Sequence, residues 1–276
     1  MKSILRYPGS KWNLANRIVG MIPPHKSYLE PFFGSGAVLF TKKRSHIETI
    51  NDLDNEIVNL FKVIRERPDD LKHVIKFTPY SREEYNNAFL IETDDPIERA
   101  RLLLVKSLQS HGFRVTEKSG WKNDVQGREK AYCVEHFNQV PQLIEEVTAR
   151  LKMVQIENMD AIELIKRFNY SNVFMNLDPP YVLSTRTRKQ YRHEMSDSDH
   201  VRLLETIVDS KAKILISGYQ HDMYDFYLKG WNKVTYDATA EHGLKRKEVI
   251  WYNYDIYEQL TLNQWMEDGI NVGNIN

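Results

Sequence analysis

Cysteine is nearly absent from this chain, and two kinds of stabilising or catalytic site are excluded with it. Cys133 is the single cysteine among 276 residues, so the chain can form neither an internal disulfide nor a zinc site made of several thiolates. Cys133 also lacks a preceding proline, which is the setting expected of a cysteine that attacks a cytosine ring carbon. We therefore expect a protein that is held together by its apolar core in a reducing compartment.

Long apolar runs and an excess of one charge are missing as well. No stretch approaches the roughly 20 apolar residues of a membrane-spanning helix, and the first residues contain no apolar signal core, so we expect a cytoplasmic protein. Basic and acidic residues both number 38. Because the net charge is zero, any surface that attracts nucleic acid must come from local clusters of charge.

The segment with the most chemical information is residues 176–181, Asn-Leu-Asp-Pro-Pro-Tyr, which follows an apolar run. This pattern is typical of a buried strand that ends abruptly at the carboxyl edge of a sheet. The Asp178 carboxylate and the Pro179 carbonyl are two acceptors that would hold both hydrogens of a nucleobase amino group, and Tyr181 can stack on the base. The simpler alternative is a strand-ending turn that binds nothing.

A second pattern lies near the start of the chain, where residues 28–40 contain a glycine turn between two apolar segments. Gly34 and Gly36 would let a ligand approach the backbone, which is typical of a nucleoside-binding loop, although two glycines can also form an ordinary turn. Asp52 ends the next strand-like run, where an acid can bind ribose hydroxyls. Its neighbour Asp54 is better explained as the cap of the following helix.

These motifs, taken in order, make the chain resemble the DNA adenine methylases that use S-adenosylmethionine, and the resemblance covers most of the sequence. It implies that the catalytic tetrapeptide is Asp178, Pro179, Pro180 and Tyr181. It also implies a cofactor site without metal, made by Tyr7, Lys11, Glu30, Phe32, Gly34, Gly36, Asp52, Asp160 and Asp178. Asp160 would contact the amino group of the cofactor's adenine. A helix cap for the segment 161–168 is the alternative role of Asp160, and the two roles are compatible.

Two segments depart from the family pattern. Residues 7–11 are Tyr-Pro-Gly-Ser-Lys in place of an aromatic-Ala-Gly-Gly-Lys segment, so Lys11 transfers from the family more securely than Tyr7. An Asn-Arg-aromatic-Gly segment that reads the target is represented only by residues 109–114, Gln-Ser-His-Gly-Phe-Arg. The recognised base sequence therefore stays open.

Three basic clusters are candidates for contact with the DNA backbone. The first is residues 186–193, directly after the tetrapeptide, the second is residues 112–130, where basic side chains are interleaved with two aromatic ones, and the third is residues 245–247. For each cluster a solvated loop is the alternative. The predicted DNA-binding residues are Arg114, Lys118, Trp121, Lys122, Arg186, Arg188 and Lys189.

The spacing of the motifs predicts an inserted domain. Between Asp52 and Asp160 lie 107 residues, whereas a strand-helix-strand unit needs only about 30. Within this interval a capping box at residues 81–84 and apolar residues at helical spacing in residues 96–109 and 141–151 indicate helices. We predict a mainly helical target-recognition domain over residues 61–148, inserted into a methyltransferase catalytic domain made of residues 1–60 and 149–276.

The remaining pattern indicates an α/β fold. Residues 196–209 favour a helix, residues 212–217 a buried strand, and residues 231–239 and 249–254 an antiparallel pair. The expected architecture is the Rossmann-like sheet of a class I methyltransferase with a carboxyl-terminal β-hairpin.

The implied reaction is methyl transfer to the exocyclic amino nitrogen of an adenine that is rotated out of duplex DNA. Three alternatives stay open: methylation of the cytosine amino group, methylation of adenine in RNA, and a catalytically silent DNA-binding protein. Besides DNA, a cognate restriction endonuclease is the partner expected of an enzyme that works in a restriction-modification pair.

Overall fold

A computed structural model describes residues 3–113, 115–123, 125, 132–186, 188–239 and 245–256. The strands are β1 (Ser27–Glu30), β2 (Ile47–Asn51), β3 (Val154–Glu157), β4 (Val173–Leu177), β5 (Lys213–Tyr219), β6 (Asn232–Thr239) and β7 (Lys245–Tyr252). They form one seven-stranded sheet in the order β3-β2-β1-β4-β5-β7-β6. β1 to β5 are parallel, and β7 runs antiparallel to both of its neighbours. The mixed α/β fold and the antiparallel pair near the carboxyl terminus confirm the predicted α/β sheet with its hairpin, whereas the inserted helical domain stays a prediction.

The helices are α1 (Ala15–Met21), α2 (Ala37–Thr41), α3 (Asn55–Glu66), α4 (Pro68–Lys76), α5 (Arg82–Ala88), α6 (Pro96–Gln109), α7 (Tyr132–Asn138), α8 (Val140–Leu151), α9 (Ala161–Arg167), α10 (Asp197–Ile207) and α11 (Asp222–Tyr227). Several begin at side-chain caps, as predicted: Asp54 accepts a backbone N–H at α3, Ser81 at α5 and Ser196 at α10. Each helix in the described part of the chain is too short or too polar to cross a membrane.

Apolar residues alternate between the two faces of the sheet, because successive side chains of a strand point in opposite directions. On β1 and β4, Tyr28 and Phe174 join the apolar cluster under α1, α3, α6 and α8. Leu29 and Met175, one residue further along each strand, join the cluster under α9, α10 and α11. The sheet is therefore covered on both sides, which explains why every residue of the central strand β4 is buried.

The helices from α4 to α8 follow β2 and precede β3, in the interval where the sequence predicts an insertion. Helix α6 packs on α3, and α8 packs on both α3 and α4. Residue 61, where the predicted insertion starts, lies inside α3, and its side chain shares one apolar cluster with Tyr28 of β1 and Leu103 of α6. The helices of this interval are thus continuous with the core under the sheet.

A buried ionic cluster of three residues fastens α8 to β2. Glu48 of β2 is 2% exposed; its Oε1 lies 2.5 Å from the Lys42 ammonium, and both of its oxygens accept hydrogen bonds from the Arg150 guanidinium. Burial acts to raise the pKa of Glu48, but Arg150, Lys42 and a backbone N–H outweigh it and lower the pKa to about 2. Glu48 therefore remains ionised at neutral pH, and we call Glu48, Lys42 and Arg150 the Glu48 cluster.

Candidate functional site

Four acidic side chains meet at one edge of the sheet. Glu30 ends β1, Asp52 directly follows β2, Asp160 comes soon after β3 and Asp178 directly follows β4. The carboxyl ends of parallel strands share an edge, and β1 and β4 are neighbours although far apart in sequence. All four side chains line one cavity of about 210 Å³ at that edge.

The cavity contains nearly all of the residues that the resemblance assigns to the cofactor. Besides the four acids, its lining includes Tyr7, Lys11, Phe32 and Gly34. Gly36 is not in the lining. Of the predicted catalytic tetrapeptide, the lining includes Asp178 and Pro180, whereas Pro179 and Tyr181 are buried and are not part of the lining.

The two loop glycines have different roles. Both adopt the left-handed conformation, with φ of 49° at Gly34 and 68° at Gly36. The Gly34 N–H donates to Asp52 Oδ2 at 2.8 Å, which fixes the loop against the end of β2. At Gly36, the rings of Phe33 and Phe40 occupy the space that a Cβ would need. Gly36 therefore shapes the turn from behind rather than facing the cavity.

Gly36→Ala should lower the free energy of unfolding by at least about 2 kcal/mol. Alanine is strained in the left-handed backbone conformation, and its methyl group would also displace two aromatic rings. Urea denaturation would measure this. Gly20→Ala is the matched control, because Gly20 lies in α1 with no atom within 4 Å of the added methyl group. That variant should gain about 0.5–1 kcal/mol. Equal stability of the two variants would contradict this account of the loop.

Asp52 and Glu30 are both shifted towards the protonated form. Burial is the main cause, and it raises the pKa of Asp52 to about 6 and that of Glu30 to about 8. Asp52 also accepts the Asp54 N–H at 2.9 Å. The Asn176 amide, which donates to Glu30 Oε1 at 3.1 Å, and the Tyr28 hydroxyl partly offset the rise in the pKa of Glu30. A buried carboxyl group in a cavity wall is suited to a ligand that forms hydrogen bonds or carries positive charge.

Asp178 is part of a compact cluster with Lys11, Tyr181 and Glu248, which we call the Asp178 cluster. Lys11 Nζ lies 2.9 Å from Asp178 Oδ1 and 3.3 Å from Glu248 Oε1. The Tyr181 hydroxyl donates to Glu248 Oε1 at 2.6 Å, and Lys11 Nζ stands 4.7 Å from the centre of the Tyr181 ring. The four side chains thus hold one another in place.

The protonation states of the Asp178 cluster follow from burial and charge. Burial raises the pKa of Asp178, while Lys11 opposes the rise. Burial lowers the pKa of Lys11, but the two neighbouring carboxylates raise it further, so that the net pKa lies above its ordinary value. Lys11 is therefore a permanent cation between two acids.

Glu248 is the member of the Asp178 cluster that the sequence did not identify. It stands in β7 between a basic segment and the apolar run Val249-Ile250-Trp251. A single acid at the start of a predicted strand was the only available signal. Glu248 and Tyr181 are 67 positions apart in the chain, so their contact cannot be predicted from a local sequence pattern.

The segment after the tetrapeptide folds back over the cavity and changes the expected role of Arg186. The sequence assigned Arg186 to DNA, but its guanidinium is 6% exposed, donates to the Tyr181 carbonyl at 2.8 Å and forms an ion pair with Glu194. In the same segment Tyr191 packs on Tyr7, with ring centres 5.8 Å apart. Arg186 is thus occupied by intramolecular bonds, because a buried cation needs a fixed partner.

The other residues predicted to bind DNA are placed on two surfaces. Lys118, Arg188 and Lys189 are exposed, and Lys122 is partly buried. The Trp121 indole N–H donates to Gln109 at 3.1 Å, so this ring is fixed beside the end of α6. Arg114 lies outside the described residues.

Comparisons with known proteins agree with this geometry. A family model described as D12 class N6 adenine-specific DNA methyltransferase matches residues 7–247. The type II methyltransferase M1.LlaDCHI of Lactococcus lactis subsp. cremoris is 26% identical over 281 residues, which cover 92% of this chain and 96% of the relative. The type II methyltransferase M.MjaIII of Methanocaldococcus jannaschii is 25% identical and covers 95% and 99%. The DNA N-6-adenine-methyltransferase of Escherichia phage P1 is 29% identical over 118 residues, 41% of this chain and 15% of the phage protein.

Proposed function

Because the chain belongs to the D12 class of N6 adenine-specific DNA methyltransferases, we propose that it transfers a methyl group from S-adenosylmethionine to the exocyclic amino nitrogen of an adenine in duplex DNA. The observation that carries the proposal is the set of four acids, Glu30, Asp52, Asp160 and Asp178, around one cavity at the carboxyl edge of the sheet. Ligands of open α/β sheets bind at this edge, where the strand order reverses.

The residues of the cavity fit S-adenosylmethionine, which when bound supplies an electrophilic methyl group on a positively charged sulfur. Four acids in the wall suit a cationic ligand, because a bound positive charge favours the ionised forms of Asp52 and Glu30, whose pKa values are raised in the free protein. We assign Asp52 to the ribose hydroxyls and Asp160 to the adenine amino group of the cofactor. Tyr7, Lys11 and Phe32 complete the wall.

At the target base, Asp178 and the Pro179 carbonyl accept the two amino hydrogens of an adenine that has left the duplex, and Pro180 fixes the turn. Holding both hydrogens would return electron density to the nitrogen, so that its lone pair could bond to the methyl carbon while the electron pair of the broken carbon-sulfur bond stays on sulfur. The positive charge would then leave the base with one amino proton, which the Asp178 carboxylate is placed to accept. Tyr181 stacks on the base. The residues contribute mainly by position, because the methyl group that the cofactor supplies is already activated.

We assign the target recognition to residues 61–148 and the chemistry to residues 1–60 and 149–276. Lys118, Trp121 and Lys122 would face DNA from the first unit, together with Arg114, and Arg188 and Lys189 from the second. Lysine and arginine contacts with phosphates fix the register, whereas base contacts give specificity. The type II relatives further support a cognate restriction endonuclease as a partner.

The proposal is tested by incubating the protein with duplex DNA and radiolabelled S-adenosylmethionine, followed by digestion of the DNA to nucleosides. We expect the label in 6-methyladenine. Label in 4-methylcytosine, or faster transfer to RNA of the same sequence, would contradict the proposal. Sequencing the methylated DNA would then identify the bases around each modified adenine.

Cofactor binding should weaken in acid because of Asp52. Its pKa of about 6 means that Asp52 takes up a proton as the pH falls through that value, and a protonated carboxyl is a poorer acceptor for ribose hydroxyls. We expect the Kd of S-adenosylmethionine to rise by up to about tenfold per pH unit below 6. Glu30, with a pKa of about 8, is already protonated in this range. Isothermal titration calorimetry would measure the profile.

Asp52→Asn is the control for this titration. The variant should bind the cofactor weakly at pH 7 and show a smaller change of Kd between pH 5 and 7. The titratable groups that interact with Asp52 include Tyr7 and Asp54, and Asp54 in turn pairs with Arg192. An unchanged pH dependence in Asp52→Asn would assign the titration to another group and refute this role of Asp52.

A further inference from the structure

Glu248 lies in β7, which is separated from β4 by one strand of the sheet, and its side chain contacts residues at the turn that follows β4. In β7 it pairs with Tyr219 of β5 and with Tyr236 of β6. Because β7 is antiparallel to β5, its early residues lie at the carboxyl end of β5, which is the edge that carries Asp178. The Glu248 side chain is 12% exposed and does not line the cavity.

The contacts of Glu248 converge on two residues beside Asp178. Its Oε1 accepts the Tyr181 hydroxyl at 2.6 Å and lies 3.3 Å from Lys11 Nζ, which itself is 2.9 Å from Asp178 Oδ1. Tyr181 is further confined by the edge of the Tyr219 ring, with centres 4.7 Å apart. Glu248 is therefore connected to Asp178 through one intervening residue, either Lys11 or Tyr181.

The sharing of Lys11 between two carboxylates affects the strength of the Asp178 acceptor. A carboxylate that fully neutralises a cation has less negative charge to offer to an amino hydrogen, and this effect is large where water is excluded. Without Glu248, Asp178 would be the one carboxylate left beside Lys11 in the described part of the chain, and Lys11 Nζ would keep its hydrogen bond to the Gly9 carbonyl at 2.8 Å. The Tyr181 hydroxyl would also lose its partner, although the side chain is only 8% exposed.

We propose that Glu248 is a positioning residue for methyl transfer, which fixes the Tyr181 ring and draws part of the Lys11 charge away from Asp178. The inference deepens the proposed function and rests on it. Glu248 touches neither the base nor the cofactor in this account, so its removal should slow the transfer step more than it weakens cofactor binding.

The test compares Glu248→Ala and Glu248→Gln with the parent protein. Single-turnover transfer from radiolabelled S-adenosylmethionine to duplex DNA gives the rate of the chemical step, and calorimetry gives the cofactor Kd. Glu248→Ala should lower the rate by about a hundredfold, as loss of a preorganised polar group does. Glu248→Gln keeps an acceptor for Tyr181 but not the charge, and should lower the rate by roughly tenfold. The cofactor Kd should change by less than about threefold in both.

Glu205→Gln is the matched control, because Glu205 is an exposed glutamate on α10, and its rate should equal that of the parent. An active parent with unchanged rates in both Glu248 variants would overturn the inference alone. So would a cofactor affinity that falls as much as the rate, since that result assigns Glu248 to binding. If Glu248→Ala does not fold, Glu248→Gln decides by the same criteria. A parent that forms no 6-methyladenine would overturn the proposed function, and the inference with it.

Discussion

Asp178→Ala is expected to lower methyl transfer by at least about a hundredfold while the protein stays folded. The substitution removes one of the two acceptors that we assign to the amino hydrogens of the target base. The fold should tolerate it, because Lys11 keeps Glu248 as a partner 3.3 Å away. Initial rates on duplex DNA would measure the effect, and circular dichroism would check the fold.

The variant Asp178→Asn keeps the shape of the side chain but removes its negative charge, so its methyl-transfer rate shows how much of the loss in Asp178→Ala is due to charge. Burial raises the pKa of Asp178, so the parent should lose activity as the pH falls and the carboxylate takes up a proton. Other titratable groups interact with Asp178 and contribute to the pH dependence of its protonation. These groups are Lys11, Glu30, Tyr181, Tyr191, Tyr224 and Glu248. Asp209→Ala, at an exposed position after α10, should leave the rate unchanged. Parental turnover by folded Asp178→Ala protein would exclude Asp178 as the acceptor.

The largest loss of stability is expected from Glu48→Gln, at about 3–5 kcal/mol, because it leaves two buried cations without a carboxylate. Lys42 is 7% exposed and Arg150 is 8% exposed, so water cannot replace the lost partner. The pKa of Glu48 is lowered to about 2, so its contribution is complete above the ordinary glutamate value near 4.5 and is lost as the pH falls towards 2. Urea denaturation at pH 7 and at pH 3 would measure both effects.

The control for Glu48 is an ion pair of the same kind at the surface. Glu66 pairs with Arg65 at 2.7 Å, but its side chain is 57% exposed. Glu66→Gln should therefore cost less than about 1 kcal/mol. Similar losses in the two glutamate variants would show that burial does not strengthen the Glu48 cluster. A Glu48→Gln deficit that stays constant from pH 7 to pH 3 would contradict the lowered pKa.

Much of the fold could be predicted from local patterns. The predicted helix at residues 96–109 is α6, and the predicted helix at 141–151 differs from α8 by one residue at its start. Both helices have apolar residues at helical spacing and a proline in the first turn, and each of these signals depends only on residues within the helix itself. The domain boundary at residue 61 could not be predicted from a local pattern, because a boundary depends on which segments pack together.

The residues around the cavity were also predictable to a large extent. Glu30, Asp52 and Asp178 stand at the ends of strands, and parallel strands bring their carboxyl ends to one edge whatever lies between them in sequence. The partners of Arg186 could not be predicted, for the opposite reason. A basic residue in a basic cluster indicates a surface that binds phosphate, but only the packed chain shows that Glu194 and the Tyr181 carbonyl occupy it.

The sequence by itself determined the strand ends, the helix caps and the turn formed by the tetrapeptide, because each depends on neighbours within a few residues. Only the tertiary structure decided that Lys11 lies between Asp178 and Glu248, and that Tyr181 is tied to β7. Those contacts require β7 to lie between β5 and β6, a strand order that is set by burial of the whole sheet and not by any local segment.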